Sequence, residues 1–309
     1  MENIGDLKTV FAGCAKDCEK YLPVVLENIE GYSKIFKETS KIIVENGSTD
    51  KTKEILKGIE DEKNIVFFRD DLNEFKQRGT RLALARNMII EEIKKNKTFK
   101  NFDLLIILDL DDRGKFKIKK ENLLRALNFL YSKDNIAAVF ANQPGDYFDL
   151  WTLRDDLYIK SDFWCEALKY ALSKINSNES ITFEILNDLK KNFLDKKKLS
   201  FDLNSSPYKV KSAFGGFGIY KINKIFKNKL RYVGEQEFDV KFRDGIEKRV
   251  RYQKCEHVNF NLGFEELGLD LYILPYLTNS IRNFENIRPE AAFQFIINKK
   301  EILNLPKKG

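Results

Sequence analysis

The stretch Asp103-Leu-Leu-Ile-Ile-Leu-Asp109-Leu-Asp111-Asp112 joins a five-residue apolar run to a group of three carboxylates. Such a run is typical of a strand buried in a parallel sheet. Unpaired carboxylates are costly to bury, so we expect them at the strand's open carboxyl end, where open α/β sheets bind ligands. Two acids two residues apart, with a third beside them, suit a hard divalent cation that carries a diphosphate.

Composition indicates a globular chain with a substantial core. The 309 residues are 43% hydrophobic and 33% charged, and the net charge of +7 is modest for this length. No recognised nucleic-acid-binding module or aromatic-basic pattern is present, so no nucleic-acid partner is predicted. The lysine-rich segments at 94–97 and 190–198 are interpreted as solvated helix faces. A weak attraction to an anionic membrane or a lipid-linked acceptor is the alternative.

The four cysteines, Cys14, Cys18, Cys165 and Cys255, form no zinc-like pair of pairs. No secretory leader precedes the first predicted strand, and no apolar run approaches the length of a membrane span. We therefore expect a cytoplasmic protein with reduced thiols, with peripheral contact to the inner membrane face as an option. The oligomeric state is not predicted.

The first half of the chain alternates strand-like and helix-like segments, which predicts a mostly parallel α/β sheet flanked by helices. Strands are predicted at 8–15, 41–45, 64–68 and 104–108. Helices are predicted at 21–36, 48–59 and 78–95, the second capped by Ser48 or Thr49.

The second half is less regular. Helices are predicted at 121–131 and 166–198, and a closing helix at 290–303. Strands are predicted at 137–141, 250–261 and 271–274. Gly215 and Gly216 permit a tight turn or a close approach of the backbone to a ligand, although an ordinary hairpin is the alternative.

A second polar segment, Glu45-Asn46-Gly47-Ser48-Thr49-Asp50, follows the second predicted strand and opens a helix. Gly47 can adopt a positive φ, and Ser48 and Asp50 can accept hydrogen bonds from the free N–H groups of the helix. Taken alone, the segment has an ordinary strand-to-helix turn as its alternative.

Together, ENGSTDKT and LDLDD resemble the N-D-G-S-x-D and D-x-D segments of GT-A glycosyltransferases similar to family 2. The resemblance implies a GT-A, Rossmann-like fold. It divides the chain into a nucleotide-sugar-binding half (1–145) and an acceptor-binding and catalytic half (146–309) that ends in a helix. Asp109 and Asp111 would be metal ligands, for Mn²⁺ or Mg²⁺.

The same resemblance implies a set of nucleotide-sugar-binding residues. Glu45 and Asn46 stand where the family more often has Asp, and Arg86 in RLALARNMII resembles an arginine that reaches toward the nucleotide. A surface arginine paired with Glu91 is the alternative for Arg86. The implied set is Ala12, Cys14, Glu45, Asn46, Asp50, Arg86, Asp109, Leu110, Gly215 and Gly216.

Three downstream segments, DLWTLRD at 149–155, SAFGGFGIYK at 212–221 and CEHVNFN at 255–261, resemble capsule-associated α-mannosyltransferases. Trp151 and Arg154 are predicted to bind the acceptor, and Asp155 is predicted to be catalytic. The alternative for these residues is a core tryptophan beside a surface ion pair.

His257 is the sole histidine of the chain. By the resemblance to some GT-A enzymes, it would complete the metal shell, and an imidazole ligand suits Mn²⁺ better than Mg²⁺. Glu256 would act as the base that deprotonates the acceptor. On a strand these side chains point to opposite faces, so one site can use both only if the segment is irregular. A structural histidine is the alternative.

The predicted function is metal-dependent transfer of a hexose from a nucleotide sugar to an acceptor hydroxyl, in polysaccharide biosynthesis. The donor would be GDP-mannose or a UDP-hexose, and the acceptor a surface glycan or a lipid-linked glycan. One alternative is a sugar-nucleotide nucleotidyltransferase, although the segment at 12–17 lacks the glycine-rich basic loop expected there. The other alternative is a catalytically silent protein that binds a nucleotide sugar.

Overall fold

The computed structural model describes residues 3–177, 199–226, 230–241, 245 and 247–279. The strands are β1 (Lys8–Ala15), β2 (Glu38–Glu45), β3 (Asn64–Phe68), β4 (Leu104–Leu108), β5 (Ile136–Asn142), β6 (Tyr208–Val210), β7 (Phe217–Lys221), β8 (Glu235–Lys241), β9 (Glu247–Gln253) and β10 (Asp270–Thr278). The α-helices are α1 (Leu22–Ser33), α2 (Thr52–Lys57), α3 (Arg78–Lys95), α4 (Lys120–Tyr131), α5 (Phe163–Asn176), α6 (Ile222–Phe226) and α7 (Glu256–Glu265).

Eight strands form one central sheet in the order β3-β2-β1-β4-β7-β5-β10-β6. Strand β7 runs antiparallel to its neighbours β4 and β5, and β6 runs antiparallel to β10. The other strand pairs are parallel. All five residues of β4 and all seven of β5 are buried, as expected for strands covered on both faces. This arrangement confirms the predicted mostly parallel α/β sheet, which takes strands from both proposed halves of the chain.

The strand order reverses between β1 and β4. The chain moves from β1 outward to β2 and β3, and β4 then lies on the opposite side of β1. The connecting segments therefore diverge at the carboxyl ends of β1 and β4, which leaves a crevice there. Such a switch point is where open α/β sheets bind ligands.

Helices cover both faces of the sheet. Ile89 and Ile93 of α3 and Phe260 of α7 belong to one apolar cluster, whereas Val25 of α1 and Leu123 of α4 belong to another. Among the described residues, no helix has the length and apolar character needed to cross a bilayer.

A second sheet consists of β8 and β9 alone. One face of this hairpin packs on Leu168 and Leu172 of α5 through Val250 and Tyr252. The other face carries cross-strand pairs of opposite charge, such as Arg251 with Glu237.

Several predicted elements are confirmed with the same bounds, namely β1, β3, β4 and α3. The helix predicted at 48–59 begins later, at Thr52, and its N-cap is Lys51, which makes no side-chain cap. The capping prediction is therefore wrong, because Ser48 instead accepts a hydrogen bond from the Asp17 backbone N–H at 2.9 Å.

The strand predicted at 250–261 is also wrong beyond its first residues. Strand β9 ends at Gln253, and α7 begins at Glu256. Phe260 and Phe264, four residues apart on one face of α7, are both fully buried against the core. Helix α5 covers the start of the helix predicted at 166–198. Residues 178–198 and the closing helix predicted at 290–303 lie outside the described residues.

Candidate functional site

A cavity of about 230 Å³ opens at the switch point between β1 and β4. Its walls come from the end of β1 and the segment after it, the segment after β2, the first turns of α3 and Asp111 after β4. The lining residues are Cys14, Ala15, Lys16, Asp17, Cys18, Asn46, Arg78, Arg81, Leu82 and Asp111.

Hydrogen bonds tie the segments after β1 and β2 into one wall. The ammonium of Lys16 donates to the carbonyl of Asn46 at 3.0 Å and to that of Gly47 at 2.9 Å. The Asp17 carboxylate accepts the Thr49 backbone N–H at 2.7 Å. Asp17 itself has φ 48°, a left-handed conformation that costs energy for a residue other than glycine. The wall is therefore held in place by contacts within the chain.

The structure separates the three predicted nucleotide-binding residues of the second polar segment. Glu45 is fully buried and accepts the Ser48 N–H at 2.6 Å. Asp50 accepts the backbone N–H groups of Glu19 and Thr52 at 3.0 Å each, so both carboxylates shape the turn. Asn46 lines the cavity, is 4% exposed, and its Oδ1 has no hydrogen-bond partner among the described residues.

Ala12 and Cys14 lie on β1, and Leu110 lies between the two aspartates that follow β4. Ala12 and Leu110 are buried, and a Cβ on Gly13 would lie 2.7 Å from Leu110 Cγ, so the chain needs glycine at this close contact. Cys14 lines the cavity, and burial raises the pKa of its thiol. Of these three predicted residues, Cys14 is the one that forms part of the cavity wall.

The acid tip, which we define as Asp109 and Asp111, follows β4 directly. The Asp109 backbone N–H donates to the Gly216 carbonyl at 3.0 Å, and the Asp111 carboxylate accepts the Arg113 N–H at 3.0 Å. Burial and then the negative charge of Asp111 raise the pKa of Asp109 to about 7, against the opposing influence of Arg86. Two carboxylates that repel one another in this way form a site that favours a cation.

Arg86 of α3 connects the acid tip to α7. It is 5% exposed, forms an ion pair with Glu256, and its Nη2 lies 3.8 Å from the Oδ1 of Asp109. The alternative of a surface arginine paired with Glu91 is wrong, because Glu91 pairs instead with Lys95, at 3.6 Å. The structure thus brings together Asp109, Arg86 and Glu256 from three separate elements.

His257 lies next to this group but turns into the core. Its ring stacks on Phe214 at 3.9 Å between ring centres, and Tyr232 packs edge-on at 5.5 Å. Neither ring nitrogen has a hydrogen-bond partner within the described residues, and Nε2 is 3.9 Å from the carboxylate of Glu256. Burial, followed by the charge of Arg86, lowers the pKa of His257 well below its ordinary value. The imidazole is therefore neutral in the folded chain.

Within the described ranges, no group of three or more His, Cys, Asp or Glu side chains is placed to hold a metal ion. The predicted set of Asp109, Asp111 and His257 is accordingly not assembled, because α7 directs His257 onto Phe214. The two carboxylates of the acid tip remain. They fit a hard cation that takes one or two protein carboxylates and completes its shell with phosphate oxygens and water.

The structure does not bring Asp155 to the cavity. Asp155 is 2% exposed, and its carboxylate accepts the backbone N–H groups of Tyr158 and Ile159, both at 2.7 Å. It also accepts the Tyr208 hydroxyl at 2.7 Å. These contacts fix a loop against β6.

Arg154 is likewise committed to the interior. It is 4% exposed, donates to the carbonyls of Trp151 at 3.0 Å and Leu153 at 2.6 Å, and lies 3.4 Å from the Asp162 carboxylate. The ion pair is therefore buried, not superficial. Trp151 is half-buried beside it.

The Gly215-Gly216 turn reaches the acid tip. The two residues have φ 64° and 80°, and a Cβ on Gly216 would lie 3.2 Å from the Asp109 carboxylate and 3.1 Å from the Asn279 amide. The alternative of an ordinary hairpin is wrong, because β6 pairs with β10 whereas β7 pairs with β4 and β5. The Gly215 N–H donates to Asp149 at 3.0 Å, which places a third carboxylate near the tip.

Sequence reasoning missed Arg78, Arg81 and Asp149. Arg78 and Arg81 line the cavity, and Arg78 is exposed and forms no ion pair within the part of the chain that the structure describes. Two arginines in the first turns of α3 oppose the helix dipole, and that pattern was the available signal. Asp149 belongs to a segment that the sequence singled out, but nothing local distinguishes it from Asp155.

No protein-family model and no curated protein sequence matches this chain significantly. Among solved structures, it is similar to S. aureus TarS with a TM-score of 0.44 and 12% identity, over 97% of this chain and 40% of that one. It is also similar to glucosyl-3-phosphoglycerate synthase from Mycobacterium tuberculosis in complex with UDP, with a TM-score of 0.39 and 14% identity over 99% of this chain and 83% of that one. A complex of the same synthase with Mn²⁺, UDP and glucosyl-3-phosphoglycerate has a TM-score of 0.39 and 13% identity to this chain. Likenesses this distant assign no activity to this chain.

Proposed function

We propose that this protein is a metal-dependent glycosyltransferase that uses a nucleotide-sugar donor. The observation that carries the proposal is the acid tip at the carboxyl end of β4, beside a cavity at the switch point of the sheet. Asp111 lines that cavity together with the cations of Arg78 and Arg81. A site with both signs of charge fits a nucleoside diphosphate together with a divalent cation.

The nucleoside is proposed to occupy the cavity between β1 and α3. Asn46 lines this cavity, and its buried amide oxygen has no partner among the described residues. With its side chain turned toward the cavity, that oxygen would accept a hydrogen bond from a base N–H group. Arg78, which is exposed, would lie against the phosphates. Arg81 is held by two backbone carbonyls, those of Phe75 at 2.6 Å and Lys76 at 3.2 Å, and contributes charge from a fixed position.

Asp109 and Asp111 are the residues that would hold the cation, Mn²⁺ or Mg²⁺. When bound, a divalent cation supplies charge stabilisation for the departing nucleoside diphosphate. The Gly216 turn leaves room at this point, because a side chain there would crowd the Asp109 carboxylate. The backbone can therefore lie close to a bound donor.

We assign deprotonation of the acceptor hydroxyl to Asp149. The carboxylates of Glu256 and Asp155 are buried in contacts with Arg86 and with a loop, respectively. Asp149 is partly exposed, and its carboxylate accepts hydrogen bonds from the Thr152 hydroxyl at 2.7 Å and the Gly215 N–H at 3.0 Å. Burial raises the pKa of Asp149, which makes it a better proton acceptor than an ordinary aspartate. A glycan or lipid-linked acceptor, and GDP-mannose or a UDP-hexose as donor, are proposed from the sequence resemblance.

The test begins with thermal shift of the full chain against UDP, GDP and CDP, each with and without Mn²⁺. A nucleotide present at 100 times its dissociation constant stabilises the fold by about 2.7 kcal/mol. We expect a shift for one nucleotide that requires Mn²⁺, and its loss in Asp111→Asn but not in Asp112→Asn, the neighbouring carboxylate. Release of the same nucleoside diphosphate from its sugar donor should follow the same pattern. Equal shifts in both variants would refute the metal site.

A further inference from the structure

Three charged side chains from different parts of the chain form a row that ends at the acid tip: Glu256, Arg86 and Asp109. Glu256 is 3% exposed, Arg86 is 5% exposed, and the Asp109 side chain is 24% exposed. Exposure therefore rises along the row from Glu256 in the core to Asp109. Glu256 is its innermost member, and of the acid tip it is Asp111 that lines the cavity described above.

The two carboxylates share Arg86 unequally. Glu256 makes a direct hydrogen-bonded ion pair with Nη1 of Arg86, whereas Asp109 lies 3.8 Å from Nη2, beyond hydrogen-bond distance. The guanidinium also lies over the Phe214 ring, 5.5 Å from its centre. The Nε of Arg86 has no hydrogen-bond partner within the described residues. Glu256 and Phe214 together hold the arginine on the core side of Asp109.

The charges of these three groups affect how well Asp109 can bind a cation. A buried arginine that faced Asp109 alone would neutralise it, and a neutralised carboxylate is a poor ligand for a hard cation. With Glu256 included and both carboxylates ionised, the three groups carry a net charge of −1. That negative charge remains at Asp109, the outermost group of the row.

We propose that Glu256 is a positioning residue that draws Arg86 away from Asp109 and so keeps the acid tip able to bind a divalent cation. The proposal rests on the function proposed above and deepens it, because it names the residue that sets the charge of the metal site. This role also agrees with the burial of Glu256. A general base must contact the acceptor, and a carboxylate buried in this way does not.

The test measures the affinity of the full chain for Mn²⁺ alone, by the electron paramagnetic resonance signal of free Mn²⁺, without nucleotide. In Glu256→Gln the direct counter-charge of Arg86 is lost, so the arginine neutralises Asp109. We expect Mn²⁺ affinity to fall at least about fivefold. In the double variant Arg86→Gln with Glu256→Gln, Asp109 has no arginine beside it, and the affinity should return to the wild-type level or exceed it.

The matched control is Glu265→Gln, which makes the same substitution at the far end of α7. Glu265 is a surface residue paired with Lys211 at 2.8 Å, so its loss changes the net charge equally without touching the row. Its Mn²⁺ affinity should equal that of the wild type. If Glu256→Gln does not fold, the double variant, which leaves no unpaired charge at position 86 or 256, still decides. It must bind Mn²⁺ at least as tightly as the wild type.

The outcomes separate this proposal from the proposed function. Failure of the wild-type chain to bind Mn²⁺ would overturn the metal site and the positioning role with it. Binding by the wild type that is unchanged in Glu256→Gln would overturn the positioning role alone. Equal weakening in the single and double variants would also overturn it, because that pattern reports general damage to the site and not a charge effect.

Discussion

Replacing Asp109 by asparagine should make the metal-free protein more stable, and more so as the pH rises. Burial and the charge of Asp111 raise the pKa of Asp109 from 3.8 to about 7. The folded chain therefore binds a proton at this carboxyl more tightly than the unfolded chain does. The contribution of the protonated Asp109 carboxyl to folding stability is fully present below about pH 4, and it is lost as the pH rises through about 7.

The size of this effect follows from the pKa change. Ionising a carboxyl whose pKa has risen from 3.8 to about 7 costs the fold about 4 kcal/mol at pH 8. Because the side chain is 24% exposed, solvent screens part of this cost. We expect Asp109→Asn to gain about 2 to 4 kcal/mol in free energy of unfolding at pH 8, and clearly less at pH 5.

Urea denaturation at pH 5 and pH 8, in the presence of a chelator, measures the difference. Asp112→Asn is the matched control, since the Asp112 side chain is 45% exposed, and its effect should stay within about 0.5 kcal/mol at both values. Added Mn²⁺ should stabilise the wild type and leave Asp109→Asn unchanged. A variant no more stable than the wild type at pH 8, or an advantage that does not depend on pH, would refute this account of the acid tip.

Three further predictions test separate features. Because burial keeps His257 neutral, the fold should lose stability as the pH falls below 6.5. Urea denaturation between pH 6.5 and 5 should show a smaller loss of stability in His257→Phe than in the wild type. An equal loss in both proteins would contradict the burial of a neutral imidazole. Gly216→Ala and Gly268→Ala both force alanine to a positive φ, so each should lower the free energy of unfolding by about 1 kcal/mol or more. Only Gly216→Ala crowds the acid tip, so only this variant should also weaken Mn²⁺ binding in a Mn²⁺ titration. Arg78→Ala should lower the affinity for the nucleoside diphosphate about tenfold, measured by calorimetry, and leave the affinity for the nucleoside unchanged. Arg231 is an exposed arginine elsewhere, and Arg231→Ala should alter neither affinity. Equal effects of the two arginine variants would exclude a phosphate contact.

Local sequence patterns were sufficient to predict several elements and their bounds. Strand β4 is a short apolar run closed by acids, and α3 has its apolar residues at helical spacing, so each element's own residues determine its structure and bounds. The segment 255–261 shows where such reading fails. Val258 and Phe260 alternate with polar residues as on a strand, yet the segment is helical. Packing of Phe260 and Phe264 against the core outweighs local propensity there.

The sequence by itself determined that carboxylates follow a buried strand at its carboxyl end, because an apolar run must be buried and unpaired acids must not be. It did not determine which side chains face those acids. Arg86 and Glu256 are 170 residues apart, and their contact exists only because α3 and α7 pack side by side on one face of the sheet. Side-chain contacts across such a separation depend on how whole elements pack together, so the charge around Asp109 was decided by the tertiary structure alone.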